Sequence, residues 1–255
     1  VEAFLLLKPD CLRAGLSAHV EREIEAEGLE IRCRHRISLT PADIRYLWSE
    51  YSDDGHRLML GLLDRYLGGG PSQVVTLAGP DAYEAARRVK RAIRWRFADG
   101  PFANVVHAAE TPGELLRQSK LLLGWCERCS GVRPTVTFPE KELRPAGMPF
   151  EDIDPVLDAL WAGLRGGLTR PEPVPLGGEG SVIVLGVDTA HSLDSTVTAV
   201  YRALPGVELG HAIELALHAN RVGRYPIGTG SPAETVASLE LLRANGIANC
   251  WTENC

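Results

Sequence analysis

Apolar residues recur along this chain with two periods, and the periods mark out its elements. Residues 4–7 form an unbroken apolar run, as in a buried strand. Leu29, Ile31, Cys33, His35, Ile37 and Leu39 alternate with polar residues, the period of a half-buried strand, and this places Cys33 and His35 on its apolar face as packing residues. Residues 73–77 and 104–107 supply two more short strands. Between the strands the spacing turns helical. Ser17 caps a helix with Val20 and Ile24 on one face, and Thr40-Pro41-Ala42-Asp43 starts another with a cap residue before a first-turn proline. A third helix over residues 57–67 ends in Gly68-Gly69-Gly70-Pro71. Asp81 caps a long one that reaches Arg94, and Thr111-Pro112-Gly113-Glu114 reads as a capping box. The order β-α-β-α-α-β-α-β-α predicts an α+β, ferredoxin-like domain over residues 1–123: an antiparallel sheet with helices on one face.

Beyond it the pattern thins. Residues 130–180 are rich in proline and glycine, interrupted by one amphipathic helix with Leu157, Leu160, Trp161 and Leu164 on one side. Residues 170–181 read as an extended linker, so 124–180 are assigned to a linker and 181–255 to a second, smaller domain. That domain reads β-α-α-β-α-β. Its first strand covers 181–187, and Ser231-Pro232-Ala233-Glu234 is a capping box for its last helix.

Composition narrows the class. Hydrophobic residues make up 45% and charged residues 24% of 255, ordinary values for a globular protein. The opening strand does not read as a signal peptide, no apolar run reaches membrane-spanning length, and six irregularly spaced cysteines suggest reduced thiols; a cytoplasmic protein is expected. A net charge of −6 argues against bulk nucleic-acid binding. The local exception is a basic run of Arg87, Arg88, Lys90, Arg91, Arg94 and Arg96. It is either a solvated helix face, one side of a phosphate site, or a contact for RNA.

The residues after that run favour phosphate chemistry. Arg94, Asn104 and His107 bring a guanidinium, an amide and an imidazole together, and Lys8, Arg57 and Arg88 can add donors. Phosphoryl transfer depends on positioning and on neutralising phosphate oxygens. A neutral imidazole is a competent nucleophile near neutral pH if an acceptor holds its second nitrogen; Glu110 and Glu114 are the nearby candidates. Cys126-Glu-Arg-Cys129 is half of a zinc pattern, but a second pair at similar spacing is missing, so no metal held by protein side chains is expected.

Taken in order, these motifs resemble the nucleoside diphosphate kinase family over about residues 1–122. The matching pieces are Leu7-Lys8-Pro9-Asp10, Gly15-Leu16, Tyr51 with Arg57, Gly70-Pro71, Arg88, and Arg94, Phe97, Asn104 and His107 at the family's spacing. The resemblance implies that His107 accepts the γ-phosphate of ATP or another nucleoside triphosphate and passes it on. Lys8, Tyr51, Arg57, Arg88, Arg94 and Asn104 would bind phosphates and ribose, with Mg²⁺ bridging the phosphates. Apart from the resemblance, a homodimer is expected as the assembly. Departures are visible. Arg88 and Arg94 are six residues apart, where the family inserts a long loop. Leu58 or Met59 stands at the place of the base-stacking aromatic, Ala109 at that of a serine, and Gln118 near that of the glutamate that orients the imidazole. The acceptor is expected to be a nucleoside diphosphate or, as a more open cleft would suit, a specialised small molecule or peptide.

Residues 181–254 resemble the ClpS adaptor and the related C-terminal domain of the ribosomal stalk protein. The pieces are Val182-Ile-Val-Leu-Gly-Val-Asp188, the helix with His218, Gly223-Arg-Tyr-Pro-Ile-Gly228 and Cys250-Trp-Thr-Glu253. The resemblance implies a small ClpS-like α/β domain that docks a protein partner, with Asp188 and His218 where a peptide amino terminus is clasped. The alternative expectation for the whole chain is a catalytically weak, nucleotide-binding adaptor.

Overall fold

The computed structural model of the protein describes residues 3–53, 56–100, 102–126, 153–164, 170–187 and 190–254. They fall into two compact units, Val1–Asp53 with Leu62–Glu142, and Asp54–Gly61 with Leu143–Cys255.

The first unit carries β1 (Ala3–Leu7), α1 (Pro9–Arg13), α2 (Ser17–Ala26), β2 (Glu30–Ile37), α3 (Pro41–Leu47), α4 (Ser49–Asp53), most of α5 (Arg57–Gly68), β3 (Ser72–Ala78), α6 (Ala82–Phe97), β4 (Val106–His107) and α7 (Pro112–Leu123). Its sheet has the order β2-β3-β1-β4, antiparallel throughout, which is the ferredoxin-like arrangement. Ala3, Leu5 and Leu7 of β1 pack with Val20 and Ile24 of α2 and with Val89 and Ile93 of α6. Each such aliphatic side chain contributes about 1.5–3 kcal/mol on full burial.

The sheet is not left bare on its other side. Phe4 and Leu6, the alternate residues of β1, are also buried, because the ring of His107, the end of α3 at Trp48 and Gln118 of α7 cover that face. The one-sided helix layer expected from the sequence is thus corrected: a continuous apolar β1 reflects burial on both faces.

Several caps depart from expectation. α3 has the complete capping box between Thr40 and Asp43. Helix α2 begins at Ser17 itself, after Leu16. Asp81 precedes α6 with φ +51° and makes no cap hydrogen bond; its carboxylate lies 3.5 Å from Arg88. At α7, Thr111 accepts the Glu114 N–H, but the Glu114 carboxylate turns to the Glu110 N–H and to Gln118 instead of closing the box.

The second unit holds α8 (Asp154–Leu164), β5 (Val174–Gly177), β6 (Ser181–Gly186), α9 (Leu193–Ala203), α10 (Leu209–Val222), β7 (Arg224–Gly230), α11 (Pro232–Ala244) and β8 (Cys250–Asn254). Its sheet order is β5-β7-β6-β8. The stretch read as linker therefore contributes a strand: β5 pairs in parallel with β7, despite its proline, because an edge strand needs donors on one side only. Ser231 and Glu234 form the expected capping box of α11. Cys129 and most of residues 124–152 lie outside the described residues.

Candidate functional site

The site begins where β1 ends. Lys8-Pro9-Asp10 turns directly into α1, with Pro9 at its first position, so Lys8 and Asp10 project from one rigid corner. Asp10 Oδ2 accepts two hydrogen bonds, from the Tyr66 hydroxyl at 2.9 Å and from the Val105 N–H at 3.1 Å. The Tyr66 oxygen in turn accepts the Asn104 N–H at 3.2 Å, and the Lys8 N–H donates to the Val105 carbonyl at 2.9 Å.

These bonds hold a strained backbone. Val105 has φ +53°, a left-handed conformation that a β-branched residue strongly disfavours, and the Val106 N–H reaches back to the Asn104 carbonyl at 2.6 Å in a γ-type turn. Such strain costs of order 1–3 kcal/mol and persists only where its surroundings enforce it. It separates Asn104 from His107, so that Val106 enters the core shared with α2 and α6 while His107 emerges on the opposite face, paired with Leu6.

His107 is 7% exposed, its ring lying 5.1 Å from Trp48 and 6.3 Å from Phe4 between ring centroids. Its Nε2 lies 2.9 Å from Gln118 Oε1. Since the Gln118 amide group donates to the Leu47 carbonyl and to Glu114, each at 2.8 Å, its oxygen is the acceptor and His107 Nε2 carries the proton. Nδ1 is left with its lone pair. It makes no hydrogen bond among the described residues and is absent from their fully buried unpartnered polar atoms, so it keeps contact with solvent. Burial, with Lys8 beside it, lowers the His107 pKa to about 3 against the pull of Gln118, and the ring is neutral at pH 7.

Cations gather around it. Lys8, itself buried, donates to Asn104 Oδ1 and lies 5.2 Å over the Tyr66 ring and 5.9 Å over Trp48. Burial and then Arg94 push it well below the usual lysine range. Arg94 donates through Nε to the Val106 carbonyl at 2.9 Å; its two Nη groups make no hydrogen bond among the described residues, and burial lowers its pKa as well. Lys90, which sequence reasoning passed over as part of a charge run, is buried beneath the site, donating to the Ala108 carbonyl at 3.1 Å and to Glu110. Lys8, Lys90 and Arg94 are all depressed, chiefly by burial, and for Lys8 and Lys90 neighbouring cations add to it.

The remaining expected residues divide. Tyr51 on α4 is close enough to feel the charges of Arg94 and Glu114, after burial and Glu50. Glu114 stands behind Gln118, with its Oε1 3.9 Å from His107 Nε2. Glu110 is not a histidine-orienting group: Lys90 and Arg87 hold its carboxylate. Arg88 is turned away into ion pairs with Glu27 at 2.8 Å and Asp81 at 3.5 Å. Arg57 falls in the 54–61 segment that groups with the second unit, where Asp194 accepts the Leu58 N–H at 2.8 Å. Tyr66 and Trp48 also line the site and were not singled out by the sequence, whereas Asp10 and Gln118 stand at positions the motifs had marked. Most of the basic run on α6 is matched by carboxylates, Arg87 with Glu84, Arg88 with Glu27, Lys90 with Glu110 and Arg96 with Glu23, which removes the free cationic face an RNA contact requires.

In the second unit Asp188 lies outside the described residues. The His218 ring lies 4.3 Å from that of Tyr225 at a tilt of 59°, and burial, then Arg221 and Arg170, lower its pKa. Two neighbouring guanidinium groups disfavour an ammonium ligand there.

No family model matches the chain. The nucleoside diphosphate kinase of Ignicoccus hospitalis is 30% identical over 128 residues, covering 46% of this chain and 85% of that protein. This chain belongs to the nucleoside diphosphate kinase family. The nucleoside diphosphate kinase of Methylorubrum populi is likewise 30% identical, over 42% of this chain and 82% of its own length. Among solved structures, the Aquifex aeolicus nucleoside diphosphate kinase covers 46% of this chain and 90% of its own at 21% identity, with a TM-score of 0.39. The match thus covers a little under half of this chain, and no helix among the chain's described residues is long and apolar enough to cross a membrane.

Proposed function

We propose that the first unit transfers the γ-phosphoryl group of a nucleoside triphosphate through a phosphohistidine at His107. One observation carries the reading: an imidazole whose Nε2–H is fixed on Gln118 presents an unprotonated Nδ1 to solvent, beside Lys8 and Arg94. Nδ1 attacks the γ-phosphorus, the bond from that phosphorus to the β–γ bridging oxygen breaks, and the nucleoside diphosphate leaves with the electron pair. The imidazolium character that develops is shared through Nε2–H with Gln118 and, behind it, Glu114. An acceptor oxygen then takes the phosphoryl group, the P–N bond breaks, and the lone pair returns to Nδ1. Lys8 and the Arg94 Nη groups neutralise the phosphate oxygens. The charges nearest the ring are cationic and the carboxylate of Glu114 is engaged by Gln118, so these residues would not hold Mg²⁺ themselves; supplied with the nucleotide, the ion would offset phosphate charge.

The acceptor we assign is a nucleoside diphosphate, since Lys8 and the Arg94 guanidinium offer donors for its phosphates. A second reading, a weakly catalytic nucleotide-binding adaptor that recognises a protein through its second unit, rests on the commitment of Arg88 to Glu27 and Asp81, which takes one expected phosphate donor out of play. Incubation with γ-labelled ATP and Mg²⁺ separates them. Acid-labile, base-stable label that disappears in His107→Ala and is chased by nucleoside diphosphate supports transfer. Nucleotide binding without label supports the adaptor and refutes the transfer.

A further inference from the structure

A second set of reactive side chains lies on the far edge of the first unit's sheet. β2 is the edge strand, and its alternation puts Cys33 and His35 on one face. Cys126, just past the end of α7, meets them there. Cys33 Sγ and Cys126 Sγ lie 3.3 Å apart without a disulfide, and both sulfurs and a ring nitrogen of His35 fall within 4.8 Å of one another. Tetrahedral zinc, with Zn–S of ~2.3 Å and Zn–N of ~2.0 Å, sets donor–donor edges of roughly 3.5–3.8 Å. The triangle therefore closes on that ion with small side-chain shifts.

The histidine makes the stronger argument. His35 Nε2 lies 2.8 Å from the Leu122 carbonyl, and a carbonyl can only accept, so Nε2 carries the proton. Nδ1 then has a lone pair, yet it is buried with no hydrogen-bond partner among the described residues. Folded proteins rarely leave a buried acceptor in that state. One ring N–H on a backbone carbonyl with the other nitrogen available is the arrangement that orients a metal-bound histidine. The packing role that alternation alone assigns to Cys33 and His35 does not account for it.

We propose that Cys33, His35 and Cys126 bind one zinc ion through two thiolates and His35 Nδ1, with the fourth position open to water or another donor. Two thiolates cancel the dication, so the half-buried site carries no net charge. Binding releases one proton from each thiol to solvent. The ion ties the end of α7 to the edge strand, away from His107. A disulfide would use the two sulfurs but leave His35 Nδ1 unsatisfied.

The test uses the full chain, reduced and stripped with a zinc-selective chelator, then titrated with Zn²⁺ alone against a chromophoric competitor. The expected result is one tightly bound zinc per chain, a higher melting temperature, and a thiolate-to-metal charge-transfer band when Co²⁺ replaces zinc. C33S, C126S and H35Q should each weaken binding by more than about a hundredfold, beyond what loss of a supporting partner does. H35Q keeps both sulfurs and is small in volume change, so it reports on the site even if a cysteine variant fails to fold. Absence of stoichiometric zinc, or zinc retained at wild-type affinity in both C33S and H35Q, overturns the proposal. So does a chain that takes no zinc and instead forms a Cys33–Cys126 disulfide under mild oxidation.

Discussion

Replacing Asp10 with alanine tests whether the strained turn at Val105 is what aims His107. The carboxylate accepts from the Val105 N–H and the Tyr66 hydroxyl, and both partners are buried. Hydrogen bonds to a charged group contribute about 1.5–3 kcal/mol each, so losing two removes roughly 3–6 kcal/mol. Relaxation of the left-handed valine returns about 1–3 kcal/mol of that. The net local loss is therefore about 2–3 kcal/mol, or roughly a 30- to 140-fold fall in hydrogen-exchange protection of the Val105 amide at 1.4 kcal/mol per tenfold. Because the relaxed turn no longer separates Asn104 from His107, phosphohistidine labelling should drop at least tenfold while far-UV circular dichroism stays unchanged. Tyr66→Phe provides the contrast. It keeps the ring beneath Lys8 and the Asp10–Val105 bond, so it should cost about 1–2 kcal/mol and only a few-fold in labelling. Wild-type protection at Val105 together with wild-type labelling in Asp10→Ala would refute the reasoning.

Three further outcomes follow from the same geometry. Gln118→Leu removes the acceptor that fixes the His107 tautomer, so labelling should fall about 10- to 100-fold; Gln118→Glu restores an acceptor beside Glu114 and should label better than the leucine variant, an order that reverses if Gln118 only packs. The native His107 pKa of about 3 lies below the unfolded value of about 6.5, so between those values the unfolded chain binds a proton that the native one does not, and stability falls as pH drops. Urea midpoints of the wild type should therefore fall more steeply than those of His107→Gln as pH is lowered from about 6.5 to about 4.5, and parallel slopes would contradict the burial argument. Arg94→Lys loses the fork and the Nε bond to Val106, so the KM for nucleotide should rise about tenfold or more, and unchanged kinetics would show that the guanidinium faces no phosphate.

Much of this arrangement was legible before folding was considered. Alternation at 29–39, the starts of α3, α7 and α11 with proline in the first turn, and the glycine-rich stop of α5 are local signals, set by backbone propensity and by the faces a strand or helix presents. The spacing from Arg94 through Asn104 to His107 also survives as geometry, because those residues lie on one helix–turn–strand connection. Glu110 and Arg88 show where local reading stops. Each is a charged side chain at a suitable distance in sequence, yet each is claimed by a partner, Lys90 for the first and Glu27 for the second, whose identity depends on which elements pack together. The same holds for β5, a proline-containing stretch that becomes a strand only because β7 offers it an edge.

Sequence periodicity and caps thus specified the elements of this chain and the residue types able to handle phosphate. Which nitrogen of His107 is free, why Gln118 rather than a nearby glutamate holds the other, and why Cys126 meets Cys33 and His35 were decided only in three dimensions. Propensity acts on neighbours along the backbone. The state of a buried titratable group instead depends on desolvation and on charges brought close by long-range packing, and in this protein those come from residues up to 100 positions away, as with Lys8 beside His107.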